Sequence, residues 1–273
     1  MGRNFRFASV VLYGFVSLWS LIVLAPLAWM LFAAFKSRRE IFTNPMGVPK
    51  TLSFASFGQA WDVGMGTFLL NSAFVTVASV VVIVVVSGMA AYVLARSESL
   101  WLRLIYLLLV AGFAVPVQAV LVPLFQMLSA AGFLNSRLAI LLPYAAYGIP
   151  FTTILFFAFF LDFPKELEEA ARLDGCSRLA TFFRIILPLS GPAVASAAIF
   201  QAVFIWNEFL LALLLLTQPG LKTLPVGILQ LKGEYSSNWP AVMAGLTIAV
   251  IPILLIFIAS QKYFVRSLAG LGK

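Results

Sequence analysis

Long apolar runs separated by short polar segments make up most of the chain. The uncharged runs of greatest length are residues 7–35, 63–95, 104–136, 138–161, 185–207 and 235–261. A membrane-spanning helix needs about 20 apolar residues, because the hydrocarbon core is about 30 Å thick and a helix rises about 1.5 Å per residue. The pattern therefore predicts six membrane-spanning helices, near residues 9–35, 68–95, 104–129, 138–161, 192–217 and 241–264.

The length of these runs predicts helices rather than a membrane barrel. Barrel strands are about 10 residues long and alternate in polarity, and no run here alternates. The first run, 29 residues from Phe7 to Phe35, exceeds the apolar core of a signal peptide, which is about 7–15 residues. We therefore predict an all-α integral membrane protein that forms a single domain over residues 1–273 and keeps its first span.

The distribution of basic residues indicates the orientation in the membrane. With six spans both termini lie on one side, which carries eleven Lys and Arg residues against seven on the other. Cytoplasmic loops are enriched in Lys and Arg, so the totals predict cytoplasmic termini. The first span alone favours the opposite orientation, because Lys36, Arg38 and Arg39 outnumber Arg3 and Arg6.

Composition agrees with the membrane class and excludes several functions. The chain is 62% hydrophobic and 10% charged, whereas about a quarter of the residues in soluble domains are charged. The net charge of +8 lies in short loops between apolar runs, so it indicates topology rather than nucleic-acid binding. Histidine is absent and Cys176 is the only cysteine. This excludes His-based zinc sites and nucleophiles paired with histidine, and we expect neither a metal site nor an enzyme.

Proline within the spans identifies a candidate solute pathway. Broken helices often line the cavity of a transporter, although membrane helices also tolerate proline when neighbouring groups satisfy the freed carbonyl. Pro116 and Pro123 lie close to two polar residues, Gln118 and Gln126. We predict that these two glutamines contribute to a pathway.

Residues 162–191 form the one densely polar loop, and residues 162–184 carry nine of the 28 charges. Glu166, Glu168 and Glu169 suit the first turn of a short helix, where the helix dipole is positive. Gly175 suits the left-handed position that ends a helix, and Ser177 suits the cap of a second one. The pattern predicts a helix–turn–helix that docks on another protein. The alternative is an amphipathic hairpin on the bilayer surface.

This loop resembles the signature loop of the permeases of binding-protein-dependent ABC importers. The matching residues are Glu169-Ala170-Ala171, then Gly175, then Ile185-x-Leu187-Pro188. Over nearly the whole chain the sequence is similar to the smaller six-span subunit of maltose-type carbohydrate permeases. Further matching segments are Asn71-Ser72, Gly132-Phe133-Leu134-Asn135, Phe163-Pro164-Lys165-Glu166-Leu167, Trp206-Asn207-Glu208-Phe209, Thr223-Leu224-Pro225 and Tyr263-Phe264-Val265-Arg266.

The resemblance implies an importer subunit of the bacterial inner membrane that is not itself an enzyme. Its implied partners are a second permease, two copies of a cytoplasmic ATPase that hold the ATP and Mg²⁺, and an extracytoplasmic solute-binding protein. The implied solute is a sugar, oligosaccharide or polyol, with glycerol phosphate a further possibility. The residues it implies for ATPase coupling are Glu166, Glu168, Glu169, Ala170, Ala171, Asp174, Gly175 and Pro188.

The chain itself lacks the phosphate-binding G-x-x-x-x-G-K-[ST] motif, so we expect it to bind no cofactor and the ATPase to be a separate chain. An ion-coupled secondary transporter is the main alternative function. Such transporters usually carry several acidic residues within their spans. Only one ionisable residue, Glu208, lies within a predicted span here.

Glu208 has two interpretations. A charge within a span costs at least about 2.5–3.5 kcal/mol on insertion scales, so it must face a cavity, water or a partner. Glu208 and Asn207 either face the solute pathway or the second permease, or they form a hydrogen bond that packs helices near the outer interface. A Glu208→Gln replacement that reduces transport more than assembly would favour the pathway, and equal losses would favour helix packing.

Overall fold

The computed structural model describes residues 2–232 and 238–270. The other residues lie outside the described part, as do the side chains of residues 2–8, 260 and 262–270, which include the Tyr263–Arg266 motif. Within the described residues the chain forms helices and no β-strand. The predicted all-α class is confirmed.

The helices are numbered here in chain order. They are α1 Gly2–Ala34, α2 Arg38–Thr43, α3 Ala55–Asp62, α4 Met65–Ala95, α5 Leu100–Phe113, α6 Val117–Ala130, α7 Arg137–Leu161, α8 Glu166–Leu173, α9 Arg178–Thr181, α10 Leu187–Leu189, α11 Gly191–Trp206, α12 Leu210–Leu215, α13 Leu224–Gly227 and α14 Trp239–Gly270. A π-helical turn, Phe182–Ile186, joins α9 to α10.

Four of these helices are long and apolar enough to cross a membrane. They are residues Ser9–Ala34 of α1, all of α4 and α7, and Trp239–Ala259 of α14. Two further segments reach the required length only as bent pairs, α5 with α6 at 100° and Arg178–Leu189 with α11 at 80°. The described chain therefore has four candidate spans made of a single helix each, or six if each bent pair counts as one span.

The predicted third span, near 104–129, is broken at Pro116. Proline disfavours helical geometry at the residue before it and has no N–H of its own. The helix α5 accordingly ends at Phe113, and Pro116 has extended backbone angles (φ −67°, ψ 134°) before α6 begins. Pro123 lies inside α6 without ending it. Only one member of the predicted proline pair therefore breaks the helix.

The predicted fifth span, near 192–217, is wrong as a continuous helix. The helix α11 ends at Trp206, and α12 starts only at Leu210. The physical reason is the side chain of Glu208, whose oxygens accept hydrogen bonds from the N–H groups of Leu211 and Ala212 at 2.8 and 3.2 Å. A side-chain acceptor at this position starts a new helix instead of continuing the old one.

The described chain divides into two compact units. The first comprises residues 1–66 and 227–251. In it Lys36 is 1% exposed, and its Nζ donates to the carbonyl oxygens of Asn44 and Pro45 at 2.8 and 3.1 Å. These bonds engage two of the three N–H groups of the ammonium and hold the segment after α1 against the end of that helix.

The second unit comprises residues 67–226 and 252–273 and contains both candidate sites. Its apolar core is built from α4, α6, α7, α11 and α12, with buried residues such as Ile83, Ile140 and Phe156. Polar bonds also cross this core. Gln201 of α11 is 3% exposed, and its Nε2 donates to Thr152 Oγ1 at 2.9 Å and to the Gly148 carbonyl at 3.3 Å.

Gly148 of α7 lies in close contact with neighbouring helices, which leads to a stability prediction. A Cβ at Gly148 would lie 2.3 Å from Cδ1 of the fully buried Ile83 and 3.1 Å from Gln201 Oε1. We expect Gly148→Ala to lower the free energy of unfolding by about 1–3 kcal/mol, the usual cost of overpacking. Thermal unfolding of the detergent-solubilised protein measures this change.

Gly112→Ala is the matched control, because Gly112 also lies in a helix and nothing lies within 4 Å of its Cβ position. Alanine is more favourable than glycine in a helix by about 0.5–1 kcal/mol. The control should therefore unfold at an unchanged or higher temperature. A Gly148→Ala protein as stable as this control would contradict the close packing.

Candidate functional site

The first candidate site is the loop of residues 162–191, whose first arm is α8. Glu166, Glu168 and Glu169 lie in the first turn of α8. Gly175 follows the helix with φ +78°, so the predicted left-handed conformation is confirmed. The N–H of Cys176 donates to the Ala171 carbonyl at 2.9 Å, and that of Gly175 donates to the Arg172 carbonyl at 3.0 Å. This pair of bonds is a Schellman motif, which ends a helix with glycine in the left-handed region.

The second arm of the loop begins at Ser177. Its Oγ accepts a hydrogen bond from the Ala180 N–H at 3.2 Å, which caps α9 as predicted. The arm then continues through the π-helical turn to Leu189, and Pro188 lies exposed near its end. The predicted helix–turn–helix is therefore present, and local capping determines both of its arms.

The exposed face of α8 differs in part from the prediction. Ala170 and Asp174 are exposed, as are Leu167, Glu166 and Glu169. Ala171 is only 3% exposed, so it packs inside the chain and is not part of the outer face. Leu173, which the sequence did not single out, is 90% exposed. Its position three residues after Ala170 is the signal that could have identified it.

Glu168 is also directed into the chain, where it meets α4 and the residue that follows it. Its side chain is 4% exposed. Arg96 Nε donates to Glu168 Oε1 at 2.7 Å, and the Tyr92 hydroxyl donates to Oε2 at 2.9 Å. Glu168 therefore holds α8 in place and does not contribute to its outer surface. Arg96 and Tyr92 were missed at the sequence level, because the partner of Arg96 lies 72 residues further along the chain.

The second candidate site comprises Gln118, Gln126, Asn207 and Glu208. Gln118 and Gln126 are both exposed on α6, after the 100° bend. Neither glutamine side chain has a hydrogen-bond partner among the described residues. Asn207 is exposed, and its Nδ2 donates back to the Val203 carbonyl at 2.7 Å.

Glu208 is half-buried, and its carboxylate accepts three hydrogen bonds. Besides the N–H groups of Leu211 and Ala212, the Tyr144 hydroxyl donates to its Oε2 at 2.7 Å. Tyr144 lies on α7 and is 3% exposed. The carboxylate thus joins α7 to the start of α12. This geometry supports the helix-packing interpretation of Glu208.

Comparisons with known proteins identify relatives over almost the full length of the chain. Residues 84–270 match the family described as binding-protein-dependent transport system inner membrane component. The probable ABC transporter permease protein YurM of Bacillus subtilis is 38% identical over 268 residues, which cover 98% of this chain and 89% of that protein. The diacetylchitobiose uptake system permease protein NgcG of Streptomyces coelicolor is 35% identical over 267 residues, which cover 97% of this chain and 88% of that protein.

A solved structure shares the fold. It is the crystal structure of a bacterial ABC transporter involved in the import of the acidic polysaccharide alginate. One of its chains superposes with a TM-score of 0.84 at 23% sequence identity, and the match covers 97% of this chain and 99% of that chain. At this identity the likeness concerns the fold alone.

Proposed function

Since the chain belongs to the family of inner membrane components of binding-protein-dependent transport systems, we propose that it couples a carbohydrate pathway to an ATPase through residues 162–188. It is a multi-pass, non-catalytic permease subunit of an ABC importer. Subunits of this kind work with another permease, an ATPase and a solute-binding protein. The proposed assembly contains this chain, a second permease and two copies of the ATPase, which bind ATP and Mg²⁺.

The observation that carries the coupling proposal is the outward face of the helix–turn–helix. The loop of residues 162–191 follows the apolar helix α7, so it leaves the hydrocarbon region at its start. Its first arm exposes both apolar and acidic side chains, namely Leu173, Leu167, Glu166, Glu169 and Asp174. A short amphipathic helix with apolar anchors and flanking charges suits a groove on a partner protein. On the opposite face of that helix, Glu168 and Ala171 are buried against the rest of the chain.

The proposed solute is a sugar, oligosaccharide or polyol. The relative NgcG is by name a permease for diacetylchitobiose uptake, and the exposed amides of Gln118 and Gln126 can donate to and accept from sugar hydroxyls. The break between α5 and α6 supports a pathway there, because discontinuous helices line transporter cavities. Glu208 is proposed as a structural residue that joins α7 to α12. Asn207 remains a candidate for solute contact.

Reconstituted vesicles provide the test of this function. The permease pair, the ATPase and the binding protein are reconstituted together, and uptake of diacetylchitobiose, maltose and glycerol is measured. We expect uptake of at least one probe that requires ATP and survives a protonophore, because ATP hydrolysis supplies the energy.

The ion-coupled alternative predicts the reverse result. Uptake that persists without ATP and collapses with the proton gradient would overturn the proposal. Family membership argues against this outcome, and so does the scarcity of acidic residues in the apolar helices.

A further inference from the structure

Arg96 joins three separate parts of the second unit. It directly follows α4, whose last residue is Ala95. Its Nε donates to Glu168 of α8, while Nη1 donates to the Phe160 carbonyl at 2.6 Å and Nη2 to the Phe163 carbonyl at 3.0 Å. Phe160 lies in the last turn of α7 and Phe163 follows the helix by two residues, so both carbonyls are near its C-terminus, where the helix dipole is negative and favours a cation. One guanidinium therefore connects the ends of two apolar helices with the first arm of the loop.

Tyr92 provides a second connection between α4 and Glu168 of α8. It lies in the last turns of α4, four residues before Arg96, and both side chains bind Glu168. Its hydroxyl binds the second oxygen of Glu168, and its ring contacts the rings of Phe160 and Phe182 at centroid distances of 6.1 and 5.6 Å. Phe182 belongs to the second arm of the loop and is 1% exposed. The connection thus includes both arms.

The chemistry of these contacts resists displacement of α8 relative to α4. Arg96 and Glu168 have side-chain exposures of 14% and 4%, so their charges are poorly screened by water. A guanidinium offers several donors in a fixed plane, which can satisfy a carboxylate and two carbonyls together. An ammonium is a point charge on a flexible stem and cannot reproduce this pattern. A motion of α8 relative to α4 would break charged hydrogen bonds.

We propose that Arg96, Tyr92 and Glu168, here called the Arg96 cluster, transmit the ATPase-driven motion of the loop to α4 and α7. Arg96 is a positioning residue, because it acts through α8 and does not itself reach the outer face. The inference rests on the proposed function. It adds that attachment of the ATPase and transmission of its motion depend on different side chains of the same helix. The outer residues of α8 bind the ATPase, and the buried Glu168 transmits the motion of the ATPase to α4.

The variant Arg96→Lys distinguishes attachment of the ATPase from transmission of its motion. It keeps the positive charge beside Glu168 but cannot hold both carbonyls at the same time. We expect the variant complex to retain its ATPase at the wild-type subunit ratio and to hydrolyse ATP without added binding protein. Stimulation of hydrolysis by the binding protein should fall at least tenfold, and so should uptake of whichever of diacetylchitobiose, maltose and glycerol the wild-type complex transports. Glu168→Gln, which removes the charge and keeps the size, should behave in the same way.

A distance measurement tests the mechanism without any solute. In a Cys176→Ser background, spin labels are attached through Lys165→Cys at the start of α8 and Val93→Cys on α4. In the otherwise wild-type protein we expect one narrow distance distribution, unchanged by ATP with vanadate. With Arg96→Lys the distribution should broaden or shift between the two conditions, because α8 then moves independently of α4.

The matched controls are Arg103→Lys and Glu98→Gln, both at exposed positions close to the cluster in sequence. They should leave uptake and the distance distribution unchanged. The proposal is overturned if Arg96→Lys and Glu168→Gln keep uptake and the narrow distribution. It is also overturned if both lose the ATPase in proportion to uptake, since the cluster would then only maintain the fold. Failure of the wild-type complex to couple ATP to uptake would instead contradict the proposed function.

Discussion

Gly175→Val is expected to reduce both the amount of ATPase that copurifies and ATP-driven uptake about tenfold. Gly175 has φ +78°, and nothing lies within 4 Å of its Cβ position, so the effect is one of backbone conformation and not of crowding. The left-handed region costs an L-residue about 1–2 kcal/mol, with β-branched residues among the worst. If the strain displaces the end of α8, a loss of about 1.4 kcal/mol in docking corresponds to a tenfold weaker attachment.

Gly132 provides a closely matched control for this variant. It ends α6 with φ +72°, its Cβ position is also open, and the N–H groups of Gly132 and Phe133 make the same pair of bonds, to the carbonyls of Ser129 and Leu128. Gly132→Val should therefore lose as much thermal stability as Gly175→Val but keep its ATPase. If both variants retain ATPase and uptake, or if both lose them equally, the docking role of the loop is contradicted.

Glu208→Gln is expected to reduce assembly and uptake together. The carboxylate accepts hydrogen bonds from three donors, whereas an amide has one oxygen and would place its NH₂ group against at least one N–H. Hydrogen bonds to charged groups contribute about 1.5–3 kcal/mol, so we expect a loss of this order in the free energy of unfolding. Thermal unfolding, the yield of folded complex and uptake per assembled complex are the three measurements.

Tyr144→Phe and Glu98→Gln are the comparison variants for Glu208→Gln. Removing the Tyr144 hydroxyl deletes only one of the three donors, so its effect should be smaller than that of Glu208→Gln. Glu98 is exposed, and the same change there should have no effect. Normal stability of Glu208→Gln, combined with lost uptake per assembled complex, would instead place the carboxylate in the solute pathway.

The two candidate sites differ in the sequence separation between their functional residues and the groups that these residues contact. In the loop, the glycine at the end of α8 and the serine at the start of α9 act on backbone groups within five residues. At Glu208 one partner is local, but Tyr144 lies 64 residues away. In the Arg96 cluster every side-chain contact is remote. Local capping motifs are consequently visible in the sequence, and the cluster is not.

Properties that depend on run length and on neighbouring residues follow from the amino-acid sequence alone. Uninterrupted apolar runs require helices in a membrane, because the backbone must satisfy its own hydrogen bonds there. The capping positions of Gly175 and Ser177 follow from short-range chemistry in the same way. The family likeness also lies in short motifs such as Glu169-Ala170-Ala171 with Gly175.

Tertiary packing determines which side chains of α8 face inward, whereas the breaks at Pro116 and Glu208 come from local chemistry that run length does not reveal. Hydropathy does not register the hydrogen bonds that Glu208 makes to the next turn, so it predicts a continuous span to residue 217. Helical periodicity places Ala170 and Ala171 side by side but does not say which of them packs inside. Glu168 is buried because Arg96 and Tyr92 lie opposite it. That pairing exists only after helices distant in sequence have packed against one another.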